Sequence, residues 1–441
     1  MAQLAEARLF ALKTVERNRR QDVQRVRDEL RRRLETEHVG LVGSVNEEHD
    51  RALAMRLILG VTAACGELDR VIQSHYDKPL KRLEPNVLDA LRIAAFEALY
   101  LETPDHVAVS QGVELARHAR PQAAGLANAI LHRVVDFDVP ALEASRGRLA
   151  TGEYMVLDLQ RVGGLPEWLA ARAYKVLGPA AAADFARRVL EPACPSVAAN
   201  LALHSVDETR ALLAKVGCEP TDGPVEGSFK LGSMARLTSS PLVRNCDVLP
   251  CDLAAQEVVS MLPVGEGTRV LEVGSGRGTK SILMAARGGE VTAVEVGAER
   301  SRQAAERMGW AGVGDHVLCV CDDGRWLKSI EGAFDLCFVD VPCSGTGTLS
   351  RHPEIAWRLD AADVESLSAL QLELLTCAAA HVAKGATLAY STCSILSEEN
   401  EDVVSAFLAS EAGRGFELAD QHRTSIEGAD RHFLALLRVR D

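Results

Sequence analysis

The sequence predicts a chain of three parts: an all-α bundle over residues 1–140, a small α+β module within residues 141–243, and an α/β domain over residues 244–441. Three observations carry this division. The first part is rich in Ala, Leu, Arg and Glu, with apolar residues at helical spacing and little β-branched alternation. The second places strand, helix and further strands in a short span, the pattern of a ferredoxin-like module. In the third, short apolar runs alternate with helical stretches, and the runs end at glycine turns or acidic residues, as in a doubly wound, Rossmann-like sheet.

At 441 residues the chain is long enough for two or three domains, each with its own core. A hydrophobic content of 47% with 25% charged residues is that of a globular chain, not a disordered one. No apolar stretch reaches the length of a membrane span, and the amphipathic, charged start MAQLAEARLFALKTVERNRR lacks a signal-peptide core. A cytoplasmic protein is expected. The 11 cysteines form no CxxC pair and no Cys/His cluster at metal spacing, so reduced thiols and no metal are expected. Cys319 and Cys321 alternate in the strand-like run Val317–Cys321, which favours core packing. The net charge of −13 argues against a nonspecific nucleic-acid binder and leaves room for a local basic patch. A monomer is the default expectation.

In the first part, helices are predicted over Ala5–Glu37, Arg51–Tyr76, Val87–Leu101, Ser110–Ala119 and Ala123–Val135. Arg17, Arg19, Arg20, Arg25, Arg27, Arg31, Arg32 and Arg33 could meet phosphates, although Glu16, Asp22, Asp28, Glu29 and Glu35 interleave with them as on a solvated face. In the second, Leu142–Val162, Trp168–Leu177 and Ala180–Leu190 read as helices, with a break at Gly163–Trp168. Ser196–Leu203 and Ser228–Leu231 read as strands. Between them a helix over Ser205–Val216 opens on the capping box Ser205-x-x-Glu208.

The third part carries the candidate site. Thr268–Val273 is a strand ending in Glu272-Val273-Gly274-Ser275-Gly276-Arg277-Gly278-Thr279-Lys280, then a helix; such a turn lets backbone approach a nucleoside-containing ligand. The strand Gly289–Val296 ends at Glu295, where an acid can accept hydrogen bonds from ribose hydroxyls. Val317–Cys321 ends at Asp322-Asp323. Leu336–Val339 ends at Asp340, followed by Val341-Pro342-Cys343-Ser344-Gly345-Thr346-Gly347. Ala386–Ser391 leads to Thr392-Cys393-Ser394. An acid inside the first strand, and the absence of a hydride-transfer acid/base, argue against a nicotinamide dehydrogenase. Two thiols at strand ends suit covalent catalysis.

These residues resemble a known family. Asp340-Val-Pro-Cys343-Ser-Gly-Thr-Gly, Arg351-His352-Pro353-Glu354-Ile-Ala-Trp357, and Tyr390-Ser-Thr-Cys393-Ser394 with Glu398-Glu399-Asn400-Glu401 resemble the RNA cytosine-C5 methyltransferases. Leu80–Tyr100, His106–Arg117 and Gly125–Arg133 resemble the NusB-type RNA-binding helical fold. Together they resemble the bacterial 16S rRNA (cytosine-C5)-methyltransferase family over nearly the whole chain. The resemblance implies S-adenosylmethionine as cofactor and 16S rRNA as partner, and methylation of cytosine C5 through a Cys–C6 adduct. It implies Cys393 as nucleophile and Cys343 as the thiol assisting product release, with Asp340 at the cytosine edge bordering the cofactor. Glu295 would hold the ribose hydroxyls, Asp323 the adenine amine, and Gly274–Lys280 (Gly274, Ser275, Gly276, Arg277, Gly278, Thr279 and Lys280) the methionine end. In DNA cytosine methyltransferases the Pro-Cys thiol is the nucleophile, which would move that role to Cys343. A noncatalytic RNA-binding factor with a relic domain is the remaining alternative. The chain departs from the family in four places: Gly274–Lys280 stands where Cys-Ala-Ala-Pro-Gly-Gly-Lys is usual, Glu295 where Asp is commoner, Cys251-Asp252 where Gln-Asp is usual, and Asp430–Arg440 lacks a Gly-Phe-Phe.

Overall fold

The computed structural model describes residues 5–21, 25–27, 29–30, 47–232 and 234–440. Arg31, Arg32, Arg33, Asp22, Asp28 and Glu35 of the interleaved charged run lie outside the described residues. The chain divides into two units, residues 1–192 with Leu349–Arg358, and residues 193–348 with 359–441. The helices over residues 139–188, grouped by sequence with the middle module, belong to the first unit.

The first unit is helical. Its main helices are Glu6–Gln21, Glu47–Ala63, Cys65–Ser74, Pro85–Tyr100, Asp105–Ala119 and Ala124–Arg133, followed by Val139–Thr151, Val156–Gly163 and Glu167–Arg188. Pro85–Tyr100 is its centre. Ala90, Leu91, Ile93, Ala94, Ala95 and Phe96 are all buried, so this helix is covered nearly all round. A side chain on Gly60 would strike the Phe96 ring at 1.9 Å, which is why the neighbouring helix carries glycine there. The single helix expected over Leu142–Val162 is two, because Gly152 takes a left-handed conformation (φ 80°) that ends the first. Gly178, at φ 76° before Pro179, breaks the Glu167–Arg188 helix where the sequence placed a division. Of the arginine run, Arg19 pairs with the buried Asp89 at 2.8 Å and Arg17 lies 3.5 Å from Glu29, so part of it is engaged inside the unit. Leu349–Arg358 packs here too. Trp357 Nε1–H donates to the Ala63 carbonyl at 2.5 Å, and the indole covers Gly66 so closely that a Cβ there would lie 2.1 Å from the ring.

The second unit holds two sheets. The smaller contains β1 (Ser196–Ala199), β2 (Thr221–Asp222), β3 (Ser228–Lys230) and β4 (Val248–Pro250) in the antiparallel order β2-β3-β1-β4, a ferredoxin-like arrangement. Its helix Val206–Lys215 opens on the expected capping box: Glu208 N–H donates to Ser205 Oγ and Ser205 N–H to Glu208 Oε2 at 2.8 Å.

The larger sheet contains β5 (Arg269–Val273), β6 (Glu290–Glu295), β7 (Val317–Cys321), β8 (Phe334–Asp340), β9 (Val382–Thr392), β10 (Phe416–Arg423) and β11 (Phe433–Val439). Their order is β10-β11-β9-β8-β5-β6-β7. The pairs β9-β8, β8-β5, β5-β6 and β6-β7 are parallel, and β11 runs antiparallel to both neighbours. The run Leu336-Cys337-Phe338-Val339 is uniformly apolar because both faces of the sheet are covered. Leu336 and Phe338 enter one core with Val270, Ile282 and Met308; Cys337 and Val339 enter the other with Leu271, Leu375 and Phe407. Each such fully buried side chain contributes about 2 kcal/mol. Chain order reverses between β5 and β8, so the carboxyl ends of these strands form the switch point at which open α/β sheets bind ligands. At the far edge, Cys319 packs against the core as expected, whereas Cys321 is exposed, because β7 is covered by a strand on one side only.

Candidate active site

The five parallel strands bring every expected site residue of the α/β domain to one edge. After β5 the chain turns through Gly274 (φ 88°), Gly276 (φ 59°) and Gly278 (φ 75°) into the helix Thr279–Ala285. These angles suit glycine, and Gly274 has a second reason: a Cβ would lie 2.2 Å from the Asp340 carbonyl at the end of β8. Gly278 is packed against Met308, whereas Gly276 faces open space. Ser275 is buried, and the Arg277 and Thr279 side of the turn is tied by Arg307, which donates to the Arg277 carbonyl at 3.1 Å and to Thr279 Oγ1 at 2.7 Å.

Glu295, at the end of β6, is nearly fully buried. Its carboxylate accepts Gly276 N–H at 3.1 Å and Gly297 N–H at 2.8 Å and pairs with Arg300 at 2.6 Å. Asp323, past β7, is held by Arg325 at 2.6 Å, and that guanidinium keeps its carboxyl below the usual range. Gly274, Gly276, Glu295, Asp323 and Asp340 line one cavity of about 570 Å³, with Val296, Leu370 and Leu374 on its apolar walls. A carboxylate held by backbone amides beside a glycine turn, with apolar walls near a second acid, fits a nucleoside carrying a charged tail.

Lys280 points to β8, not outward. Its Nζ lies 2.5 Å from Asp340 Oδ2. Burial alone would depress the ammonium, but Asp340, Cys251 and Glu272 more than offset this, and its pKa is raised. Glu272, wholly buried on β5, accepts Ser281 Oγ–H at 2.5 Å; among the described residues its Oε1 has no hydrogen-bond partner. Burial pushes its carboxyl up to about 7, with Asp340 adding to the rise and Ser281 and Lys280 opposing it. A carboxyl that holds its proton more tightly when folded stabilises the fold fully at pH below its unfolded pKa of about 4.5, and this contribution is lost as pH rises to about 7. Glu272→Gln is therefore expected to remove a fall of about 3 kcal/mol in unfolding free energy across that window. Denaturant titration at several pH values measures it, and an unchanged slope in the variant would refute it.

The two thiols meet. Cys343 follows β8 and Cys393 follows β9; both are free, and their Sγ atoms are 2.8 Å apart. Cys393 N–H also donates to Cys343 Sγ at 3.2 Å. The Cys393 thiol lies well above its ordinary range, first because of its hydrogen bond with Cys343 and then because it is buried; the charges of Cys343 and Asp340 add to this, and Lys280 opposes. Beneath the thiols lies a polar group that motif reading passed over: Glu399, Gln371, Ser344, Ser394 and Thr346, all buried and joined by hydrogen bonds. The only sequence signal was an acid in a run of acids, Glu398-Glu399-Asn400-Glu401. The Cys251-Asp252 pair and the C-terminal segment, two of the departures noted above, also come together: Asp252 caps the helix Leu253–Met261 through Ala254 N–H at 2.9 Å and accepts Asp430 N–H at 3.1 Å.

A glycine turn and acids around a nucleoside-sized cavity, at the switch point of a mostly parallel sheet beside two thiols, define an α/β nucleoside-binding domain with a candidate covalent centre. The comparisons with known proteins place it further. Residues 259–433 match the family model described as 16S rRNA methyltransferase RsmB/F, and residues 5–136 match the NusB family. Ribosomal RNA small subunit methyltransferase B of Thermus thermophilus is 32% identical over 363 residues, 82% of this chain and 79% of that one. Its namesake in Klebsiella pneumoniae is 30% identical over 368 residues, 82% of each chain. The crystal structure of PH0851 superposes with a TM-score of 0.74 at 21% identity, covering 99% of both chains, which shows the shared fold. The chain belongs to the ribosomal RNA small subunit methyltransferase B family. It is an S-adenosylmethionine-dependent RNA methyltransferase with a NusB-type helical domain. Among the described residues no helix is long and apolar enough to cross a membrane.

Proposed function

We propose that this enzyme methylates cytosine C5 in 16S rRNA through a covalent adduct between Cys393 and C6. The observation that carries the proposal is the thiol pair, 2.8 Å apart, just past the strand that ends at Asp340 and just past its neighbour. A thiol pair at this place answers a need of cytosine C5, which is a poor nucleophile until C6 is attacked.

Gly274–Lys280, Glu295 and Asp323 would hold S-adenosylmethionine, which supplies an electrophilic sulfonium methyl group. The remaining work falls to side chains of the chain. Cys393 loses its proton to solvent and forms the S–C6 bond, and the C5–C6 π pair moves onto C5. Asp340, fixed by Lys280, takes the exocyclic amine edge of the base, and the ammonium offsets the negative charge that collects on the ring. C5 bonds to the methyl carbon as the S–CH3 bond breaks. Cys343, its own proton passed to solvent, removes the C5 proton; the ring double bond re-forms and the S–C6 pair returns to Cys393. The base must be unstacked for this, in a loop or flipped out of a helix.

A second reading also has an observation behind it. Cys343 Sγ accepts the Cys393 N–H and lies 2.8 Å from Cys393 Sγ, so a thiolate formed at Cys343 would find a main-chain donor already in place. Cys343 would then be the attacking thiol. Site-resolved mass spectrometry of 16S rRNA from cells with and without this gene tests the substrate. One 5-methylcytosine is expected to vanish, to return with the wild-type gene, and not to return with Cys393→Ala. If every rRNA site is unchanged, the substrate assignment fails.

A further inference from the structure

The ladder between β8 and β9 does not reach the cysteines. Its last pair is Asp340 with Ser391, and both thiols lie beyond it. Beyond the ladder the main chain joins the two loops through Gly347 N–H to the Cys393 carbonyl at 2.9 Å, and Glu399 is placed to tie them a second time, next to the thiols. It closes the short turn Ser397–Glu399 and is fully buried. Its Oε1 accepts Ser344 N–H at 2.7 Å and Gln371 Nε2–H at 3.0 Å. Its Oε2 accepts Ser344 Oγ–H and Ser394 Oγ–H, both at 2.5 Å. Ser344 directly follows Cys343, and Ser394 directly follows Cys393.

The four donors are uncharged, and together they fill the acceptor positions of an ionised carboxylate. An ionised carboxylate only accepts, so both serine hydroxyls must donate to it. Ser394 Oγ is then left to accept, and it takes Leu396 N–H at 3.0 Å and Thr346 Oγ1–H at 3.0 Å. Thr346 Oγ1 in turn accepts Ile395 N–H at 3.1 Å. One charge thus orients the hydroxyl network that joins the two cysteine loops. Gln371 anchors the same network from the helix Ala361–Ala379 and also donates to the Pro342 carbonyl at 2.9 Å, immediately before Cys343.

We infer that Glu399 is a positioning residue for methyl transfer, its carboxylate holding the Cys343 and Cys393 loops through Ser344 and Ser394 so that the thiols keep their working separation. The inference rests on the roles proposed above for the two thiols.

Glu399→Gln keeps the size of the side chain, removes the charge and turns one acceptor into a donor. With in vitro transcribed 16S rRNA and labelled S-adenosylmethionine, kcat per folded enzyme is expected to fall about 100-fold, the effect of a misplaced reacting group. KM for both substrates is expected to stay unchanged, because Glu399 touches neither. Ser344→Ala and Ser394→Ala, each removing one arm, are expected to cost about 10-fold in kcat. Combined with Glu399→Gln they are expected to add nothing, since they act through it. A purely architectural carboxylate would lower Tm and leave kcat per folded enzyme at the wild-type value, and that result overturns the inference. So does a triple variant whose losses multiply. If Glu399→Gln does not fold, the serine variants decide: lowered kcat at constant KM supports the inference, and wild-type kcat in both refutes it. Cys393→Ala and Cys343→Ala are run alongside. If both methylate normally, the roles of the thiols and the positioning inference fall together; if either is inactive while the Glu399 variant is normal, only the positioning inference falls.

Discussion

Cys393→Ala is expected to abolish both methyl transfer and the enzyme–RNA adduct, whereas Cys343→Ala is expected to accumulate enzyme covalently joined to RNA. Loss of the attacking thiol removes the covalent route, a cost of about 10⁴-fold or more in turnover. Loss of the second thiol leaves attack and methyl transfer possible but removes the group that takes the C5 proton, a cost of about 10²–10⁴-fold. The adduct then outlives the reaction. A denaturing gel of enzyme mixed with 16S rRNA and S-adenosylmethionine reads both outcomes, with mass spectrometry of the band locating the bond. The opposite pattern, adduct lost with Cys343→Ala and kept with Cys393→Ala, would transfer the nucleophile to the Pro-Cys thiol. Their contact means that neither thiol can be removed without freeing the other from a partner 2.8 Å away.

Gly274→Ala is expected to destroy cofactor binding, and Gly276→Ala to weaken it while sparing the fold. Both positions are left-handed, which costs an alanine about 1–2 kcal/mol. They differ in what a methyl group meets. At Gly274 it meets the Asp340 carbonyl at 2.2 Å, main chain that can withdraw only if β5 and β8 part at the switch point. At Gly276 it meets nothing within 4 Å and projects beside the nucleoside-sized cavity. Calorimetry with S-adenosylmethionine should show no measurable binding for the first and weaker binding for the second, with Tm lowered much more by the first. Equal Tm losses would show that backbone conformation alone sets the cost.

The strands and the site on them were legible because each signal was local. An apolar run such as Leu336–Val339, closed by an acid and a turn, is sufficient to place a strand and its functional end. The cysteines could be paired in advance only through their motifs, and their mutual distance is a tertiary fact. Glu399 was not legible as an anchor. It sits among three other polar residues, and its partners Ser344 and Gln371 lie 55 and 28 positions away. The membership of the helices after residue 139 was not legible for a related reason: they have no composition that distinguishes them from those before it, and packing alone groups them with the first unit. The helix break at Gly152 was missed because a lone glycine inside a helical pattern is compatible with continuation.

The assignment of Leu349–Arg358 to the helical unit changes what a gene boundary can do to this protein. The backbone leaves one unit for the other after residue 192, returns after residue 348 and leaves again after residue 358. A single cut at the first crossing would not liberate two intact modules. The helical piece would lose the ten-residue loan that brings Trp357, baring Gly66 and the Ala63 carbonyl, and the other piece would carry an orphaned insert between its fourth and fifth parallel strands. Recombination could therefore exchange these halves only as a matched set, so the helical and chemical parts of the enzyme are bound to be inherited together.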